Sequence, residues 1–179
     1  MINEMCIREV SKADAEQLVE LLKKLSVQTK YMLRELDEIN AEVSEQENKI
    51  ESMLSNKSTL FLVSEVNKKV VGFLVANSND LKRVKHIGEL VIGVDQEHWG
   101  MGIGRGLMEE MLVWSEKNGL KRLALEVVSE NDRAVKMYER YGFKIEGKKV
   151  ADHYVGDGKY LDTLVMGKML DESILAGGI

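Results

Sequence analysis

The sequence feature that most constrains the fold is an alternating glycine series, which runs Gly100-Met101-Gly102-Ile103-Gly104-Arg105-Gly106. An apolar stretch typical of a buried strand ends shortly before it at Val94, and residues with helical spacing follow it to about Asn118. A glycine turn at the start of a helix exposes backbone N–H groups at the positive end of the helix dipole. The sequence therefore predicts a strand–turn–helix unit that binds a phosphate-bearing ligand.

Two common phosphate-binding motifs do not match this turn. A Walker A loop needs a glycine followed by lysine and then by serine or threonine, but no lysine follows any of these glycines. The dinucleotide fingerprint Gly-x-Gly-x-x-Gly also fails, because Arg105 or Leu107 stands where its third glycine belongs. A nucleotide-binding protein is therefore only a distant alternative.

Seven β-rich stretches predict the strands of a sheet, at residues 5–10, 59–66, 70–76, 85–94, 122–128, 143–150 and 160–169. Asn67-Lys68-Lys69 predicts a hairpin turn after the second stretch, and Gly156-Asp157-Gly158 predicts one between the last two. The fourth and fifth stretches flank the glycine turn and its helix as a βαβ unit, so this pair should be parallel with a right-handed crossover. The expected fold is α/β (α+β), with a mixed, mostly antiparallel twisted sheet, one central parallel pair and helices on both faces.

Three capping boxes predict where helices begin: Ser11 with Asp14, Ser44 with Glu47, and Ser129 with Asp132. Apolar residues at helical spacing follow each of them. Gly142 is expected to end the last of these helices.

Length and composition limit the class of protein. With 179 residues, the chain is expected to form a single domain over residues 1–170, followed by a tail at 171–179. A net charge of −5 argues against direct nucleic-acid binding. The single cysteine, Cys6, and the lack of an apolar leader or membrane-spanning stretch predict a cytoplasmic protein without a membrane partner.

The glycine turn and a second motif together resemble the GNAT superfamily of acyl-CoA-dependent N-acetyltransferases. The turn reads Trp99-Gly100-Met101-Gly102-Ile103-Gly104, and about thirty residues later follows Asn131-x-x-Ala134-x-x-x-Tyr138-x-x-Tyr141-Gly142-Phe143. The resemblance covers roughly residues 60–170. Gly158-Lys159-Tyr160-Leu161-Asp162 is similar to the subgroup that acetylates ribosomal-protein N-termini or polyamines.

The resemblance implies that acetyl-CoA is the acyl donor and that no metal takes part. Backbone amides of the turn would hold the pyrophosphate of acetyl-CoA, and the Arg105 side chain would add a charge-assisted contact. The residues concerned are Gly100, Met101, Gly102, Ile103, Gly104 and Arg105. The pantetheine arm would run where the two parallel strands splay apart, along Ile92, Gly93 and Val94 and facing residues 126–128. Gly93 would permit a close backbone approach, or it is an ordinary glycine within a strand.

Two positions beside this site have alternative interpretations. Trp99 departs from the Arg or Gln usual in the family, and Gln96 is a nearby substitute, because an indole offers one donor and no charge. Asn131 would hydrogen-bond the donor, and it is equally suited to capping its helix.

The resemblance also implies catalytic roles. Tyr138 would be the general acid for the departing thiolate, because a phenol with a pKa of about 10 stays protonated at neutral pH; its place on a helix face equally suits a core aromatic. A base must deprotonate the amine, and Glu89 is the first candidate, with His86 second. An exposed His86 or a salt-bridged Glu89 is the structural alternative. A backbone N–H near Val91 or Ile92 would meet the oxyanion.

The expected function is therefore direct transfer of acetyl from acetyl-CoA to a primary amine, such as a protein N-terminus, a polyamine or another small amine. A non-catalytic acyl-CoA sensor on the same fold is the alternative. The acceptor pocket would involve residues 28–55 and 150–160. An acidic segment in the first range either forms a solvated surface or attracts a cationic acceptor. Its carboxylates are Glu35, Asp37, Glu38, Glu42, Glu45, Glu47 and Glu51. A family-typical homodimer is left open.

Overall fold

The computed structural model describes residues 5–40 and 42–176. Its strands are β1 (Met5–Glu9), β2 (Thr59–Val66), β3 (Lys69–Ser78), β4 (Ile87–Val94), β5 (Arg122–Val128), β6 (Lys144–Tyr154) and β7 (Tyr160–Met169). Its helices are α1 (Ala15–Gln28), α2 (Val43–Ser55), α3 (Ile103–Lys117), α4 (Asp132–Arg140) and α5 (Ser173–Ala176), with 3-10 turns at Lys12–Asp14, Leu36–Glu38 and Gln96–His98. The segment predicted as a tail thus contains α5, and its residues 177–179 lie outside the described residues.

The strands form a seven-stranded sheet in the order β1-β2-β3-β4-β5-β7-β6. The pairs β1–β2, β2–β3, β5–β7 and β6–β7 are antiparallel. β4 and β5 are parallel, from Ile87 opposite Arg122 to Glu89 opposite Ala124, and both strands continue beyond this ladder. The predicted mixed, mostly antiparallel sheet with a central parallel pair is confirmed.

The observed strand bounds agree best with the predicted ones where the residues of the turn themselves determine its conformation. In the β2–β3 hairpin, Asn67 and Lys68 have φ of +51° and +65°, as a two-residue turn of this twist requires. β4 begins two residues later than predicted, because the backbone N–H groups of Val84 and Lys85 both donate to the carbonyl of Leu81 and form a compact turn.

β6 continues past the predicted residue 150 through a bulge between Lys149 and His153. At the bulge Ala151 has φ of +54°, and its N–H donates to Asp162 Oδ1 at 2.9 Å. Lys148 Nζ donates to the other oxygen of Asp162 at 2.7 Å. The sequence pattern predicts the two strands here but not the irregularity that extends one of them.

Two of the three predicted caps are wrong. The box at Ser11 and Asp14 is present and leads into α1. α2 begins earlier than predicted, with Glu42 rather than Ser44 at the cap, since the Glu42 carbonyl already accepts from the Gln46 N–H at 3.2 Å. α4 is capped by Asn131 rather than by Ser129, since the Ser129 N–H still pairs with the carbonyl of Asp162 on β7.

The described residues divide into two compact units, of which the first comprises those of Met1–Asn77 with Val91–Trp114. The core of this unit contains residues of α1, α2, β2 and β3, among them Leu18, Leu25, Ile50, Phe61, Val63 and Phe73. α3 packs on the opposite face of β3, since a Cβ at Gly72 would lie 3.1 Å from Ile103. A Cβ at Gly106 would collide with Ile7 of β1.

The second unit comprises Ser78–Leu90 and the described residues of Ser115–Ile179. Ion pairs join its strands, between Arg122 and Glu146, Lys148 and Asp162, and Lys149 and Glu126. The ring of Tyr138 on α4 packs against Phe143, with centroids 5.8 Å apart. Across the described part of the chain, no helix combines the length and apolar character needed to cross a bilayer.

Candidate functional site

The glycine turn offers open space at the start of α3. Gly100 and Gly102 have φ of +83° and +84°, a left-handed conformation that favours glycine. Apart from each glycine and its two chain neighbours, no described residue comes within 4 Å of where a Cβ would stand. α3 begins directly afterwards at Ile103, and the first N–H groups of a helix have no acceptor within it. These residues therefore fit a phosphate-bearing ligand, because side chains at the two glycines would enter the open space.

The other residues of the turn differ in environment. Ile103 is buried and packs over Gly72 of β3, since a Cβ added at Gly72 would lie 3.1 Å from its side chain. Met101 is exposed, and Arg105 has a largely exposed side chain whose Nε donates to Glu109 Oε1 at 2.9 Å. Arg105 is thus displayed on the first turn of α3, where a contact to phosphate stays a prediction.

Trp99 closes the loop that precedes the turn. Its indole Nε1 donates to the carbonyl of Val94 at 2.9 Å, so its single strong donor is used within the chain. Gln96, the predicted substitute, donates from Nε2 to the carbonyl of Gln28 at 2.7 Å. Both side chains therefore hold the loop rather than presenting their donors at the turn.

Asp95 is a buried carboxylate that the sequence interpretation missed. It is 1% exposed, and it accepts hydrogen bonds at 2.7 Å from Lys24 Nζ and from Gln28 Nε2. Burial raises the pKa of Asp95, but the hydrogen bonds from Gln28 and Lys24 outweigh that effect and lower the pKa to about 2. Asp95 is therefore a charged residue that joins the end of β4 to α1.

Asp95, Glu97 and His98 could in principle hold a metal ion, since one ligand atom from each lies within 4.8 Å of the others. Lys24 Nζ already lies 2.7 Å from both Asp95 Oδ2 and Glu97 Oε2. An ammonium group thus provides the positive charge that these carboxylates require, which argues against a metal ion here.

The structure gives Gly93 a packing role. A Cβ at this position would lie 2.7 Å from Phe73 Cε1 and 2.8 Å from Leu25 Cδ1. The neighbouring Val91, on the same face of β4, is 59% exposed. Side chains of α1 and β3 therefore occupy the space that a side chain at Gly93 would need. Contact of Ile92, Gly93 and Val94 with a donor stays a prediction.

Gly93→Ala is expected to lower the free energy of unfolding by about 1–3 kcal/mol, because the added methyl group overpacks the contact with Phe73 and Leu25. Urea denaturation measures the change. Gly147→Ala is the matched strand control, since nothing lies within 4 Å of its Cβ position, and it should change stability by less than about 0.5 kcal/mol. Equal losses in the two variants would contradict the packing role.

The two candidate bases lie at the parallel ladder of the second unit. Glu89 is exposed and lies opposite Ala124, and among the described residues it forms no ion pair. His86 is half-buried, and its carbonyl accepts hydrogen bonds from the N–H groups of Lys121 and Arg122 at 2.9 and 3.2 Å. The salt-bridged alternative for Glu89 thus has no support, and the choice of base stays open.

Tyr138 and Asn131 lie on the same helix, α4. Tyr138 is 5% exposed, and this burial raises the pKa of its phenol, which favours the protonated form. Its hydroxyl makes no hydrogen bond to another described residue. Asn131 Oδ1 accepts from the Ala134 N–H at 3.2 Å, so the capping role is confirmed, whereas its Nδ2 has no partner within the described ranges. Tyr138 can therefore donate a proton, and Asn131 keeps a donor for a ligand.

The acidic segment lies on the surface of the first unit. Its carboxylates are exposed apart from the half-buried Glu47. Lys12 Nζ approaches Glu51 at 2.9 Å and Glu47 at 3.5 Å, and Glu38 accepts a hydrogen bond from the Glu35 N–H. Part of the segment is thus engaged in local contacts, as a solvated surface would be.

Comparison with known proteins assigns this arrangement to a family. The model of the acetyltransferase (GNAT) family matches residues 20–143. An L-amino acid N-acetyltransferase of Escherichia coli is 34% identical over 112 residues, which cover 60% of this chain and 67% of that protein. An acetyltransferase of the GNAT family from Streptococcus pneumoniae has a TM-score of 0.87 at 32% identity, covering 94% of this chain and 100% of its own.

A further structure shows the same fold with a ligand. It is a GNAT superfamily phosphinothricin acetyltransferase from Sinorhizobium meliloti in complex with acetyl-CoA. Its TM-score is 0.81 at 18% identity, with 94% of this chain and 89% of that chain covered. Proteins of this fold thus include one that binds acetyl-CoA.

Proposed function

We propose that this chain, which belongs to the acetyltransferase (GNAT) family, transfers the acetyl group of acetyl-CoA directly to a primary amine. The observation that carries the proposal is the glycine turn, where two left-handed glycines leave open space at the start of α3. A helix N-terminus of this kind suits the pyrophosphate of the acyl donor. The lone Cys6 favours the cytoplasm as its location.

The proposed donor site uses backbone groups more than charged side chains. Gly100, Met101, Gly102, Ile103, Gly104 and Arg105 would bind the pyrophosphate, and Ile92, Gly93 and Val94 would contact the pantetheine arm. Asn131 would add a hydrogen bond from its Nδ2. The loss of the usual Arg or Gln at Trp99 supports this reliance on the backbone, because the indole donor is bound to Val94.

In the proposed reaction the amine nitrogen bonds to the acetyl carbon and forms a tetrahedral intermediate, from which the bond between that carbon and sulfur then breaks. Glu89, or alternatively His86, takes a proton from the acceptor ammonium, directly or through water. A backbone N–H near Val91 or Ile92 stabilises the developing oxyanion. Tyr138, whose raised pKa keeps its phenol protonated at neutral pH, gives that proton to the leaving thiolate. The phenol is restored by the extra proton that the nitrogen carries after the attack.

The acceptor is proposed as a primary amine of one of three kinds: a protein N-terminus, a polyamine or another small amine. The exposed acidic segment supports a cationic acceptor. The relationship to an L-amino acid N-acetyltransferase adds free amino acids to the small amines worth testing.

The test combines calorimetry with an assay of thiol release. We expect acetyl-CoA to bind and free thiol to appear only when a suitable amine is present, across a panel of L-amino acids, polyamines and peptides with free N-termini. Saturating ATP should not displace coenzyme A. Tight binding of acetyl-CoA without transfer to any amine would instead establish a non-catalytic sensor and refute the proposed activity.

A further inference from the structure

We propose that Asp95 and Gln28 are positioning residues that hold the glycine turn in the conformation that binds the donor's pyrophosphate. This inference rests on the proposed function, because it assigns Asp95 and Gln28 to the same acetyl-CoA site. Both residues act through the segment 95–99, which leads directly into Gly100. Neither is required to contact the donor.

Hydrogen bonds connect the segment 95–99 to the C-terminal part of α1. Gln28 Nε2 donates to Asp95 Oδ1 at 2.7 Å, and Gln28 Oε1 accepts from the Gln96 N–H at 3.1 Å. Gln96 Nε2 returns a bond to the Gln28 carbonyl at 2.7 Å, and Lys24 Nζ binds Asp95 Oδ2 at 2.7 Å. Gln28 of α1 thus bonds to the segment through both its side chain and its carbonyl, and the segment answers with side chains and with a backbone N–H.

Asp95 also organises the segment internally. Its Oδ1 accepts from the Glu97 N–H at 3.2 Å, and its carbonyl accepts from the His98 N–H at 3.0 Å. The Trp99 N–H donates to the carbonyl of Gln96 at 3.1 Å, and its indole donates to Val94. Four hydrogen bonds therefore hold the backbone that leads into Gly100, and Asp95 accepts two of them.

The turn itself is bonded to α3 at its far end, where the Gly102 carbonyl accepts from the Gly106 N–H at 2.9 Å. Chain neighbours aside, no described residue comes within 4 Å of the Cβ positions of Gly100 and Gly102, so packing does not hold their backbone on that side. After the turn, α3 is anchored because Ile103 is buried against β3. Before the turn, the backbone is held by the Asp95 network, meaning the hydrogen bonds that join Asp95 and Gln96 to Lys24 and Gln28. Loosening that network should therefore release one end of the turn while α3 stays in place.

The sharpest test compares acetyl-CoA with an acyl donor that lacks both the pyrophosphate and the phosphorylated adenosine attached to it. S-acetylpantetheine carries the thioester and the pantetheine arm but lacks the phosphate groups of acetyl-CoA. Gln28→Ala removes two of the bonds to the segment and leaves Lys24 on Asp95. We expect the calorimetric Kd for acetyl-CoA to rise by about tenfold, the Kd for S-acetylpantetheine to stay within about twofold, and kcat at saturating acetyl-CoA to stay near that of the wild type.

Asp14→Asn is the matched control. Asp14 is also a buried carboxylate of the first unit, 4% exposed and bound by Arg8 at 2.7 and 2.8 Å, but it has no bond to the segment 95–99. It should lower stability and leave the Kd of both donors within about twofold. If destabilisation alone were responsible, both variants would bind both donors more weakly, by similar factors.

The outcomes separate this inference from the proposed function. If the wild type binds acetyl-CoA more tightly than S-acetylpantetheine and Gln28→Ala does not reduce that preference, the positioning role is wrong and the donor site stands. If the wild type binds the two donors equally, the turn does not bind pyrophosphate, so the positioning role and the proposed pyrophosphate site are both wrong, whereas the transfer activity is tested separately by thiol release. An equal loss for both donors in Gln28→Ala would also overturn the positioning role.

Discussion

Tyr138→Phe is expected to lower kcat by about 10²–10⁴-fold wherever the wild type is active, because the leaving thiolate loses its proton donor. Phenylalanine keeps the ring that packs against Phe143, and the lost hydroxyl has no hydrogen-bond partner in the described part of the chain. Stability and the calorimetric Kd for acetyl-CoA should therefore change little. Thiol release at saturating acetyl-CoA and amine measures the effect. Unchanged kcat would show that Tyr138 is only a packed aromatic residue.

A second tyrosine and the pH profile make this test specific. Tyr141→Phe, in the residue directly after α4, should leave kcat within about twofold of the wild type. Because burial raises the pKa of Tyr138 above its ordinary value of about 10, the wild type should show no alkaline decline from this group below about pH 10. A decline at lower pH that disappears in Tyr138→Phe would contradict the raised pKa.

Sequence patterns predicted the elements whose geometry is decided by neighbouring residues. The bounds of β5 agree with the prediction, because its apolar run is delimited by local turn signals. The positive φ angles at Asn67 and Lys68, and at Gly142 after α4, follow from the chemistry of single turns. The glycine turn belongs to the same class in one respect, because the left-handed φ at Gly100 and Gly102 is a conformation that glycine itself favours.

Contacts between distant parts of the chain could not be predicted in this way. Asp95 binds Lys24 and Gln28, which precede it by 71 and 67 residues. The only local signal was an aspartate directly after an apolar strand, which here caps the 3-10 turn by accepting the Glu97 N–H. Gly93 is similar, since its two close neighbours come from α1 and β3.

The second large effect is expected on stability. Asp95→Ala removes a carboxylate that is buried and accepts hydrogen bonds from Lys24, Gln28 and the Glu97 N–H. Gln28 and the Glu97 N–H lose a buried acceptor, and Lys24 keeps only the exposed Glu97. The free energy of unfolding at neutral pH should therefore fall by about 3–5 kcal/mol. Urea denaturation followed by circular dichroism measures the loss.

Glu97→Gln is the matched control, because Glu97 binds the same Lys24 Nζ at the same distance of 2.7 Å. The side chain of Glu97 is 70% exposed, whereas that of Asp95 is 2% exposed. Water can therefore replace the contact of Glu97, and its loss should cost less than about 1 kcal/mol. Equal losses would mean that burial does not strengthen the Asp95 contact.

The pH dependence of this stability has a defined sign. The pKa of Asp95 is about 2 in the folded protein, below its value of about 3.9 in an unfolded chain. Its contribution is therefore present above about pH 4 and is lost as the pH falls through 2. The stability difference between the wild type and Asp95→Ala should narrow by roughly 2–3 kcal/mol between about pH 5 and about pH 1. A constant difference would mean that the carboxylate titrates alike in both states, so that Lys24 and Gln28 do not stabilise its charge.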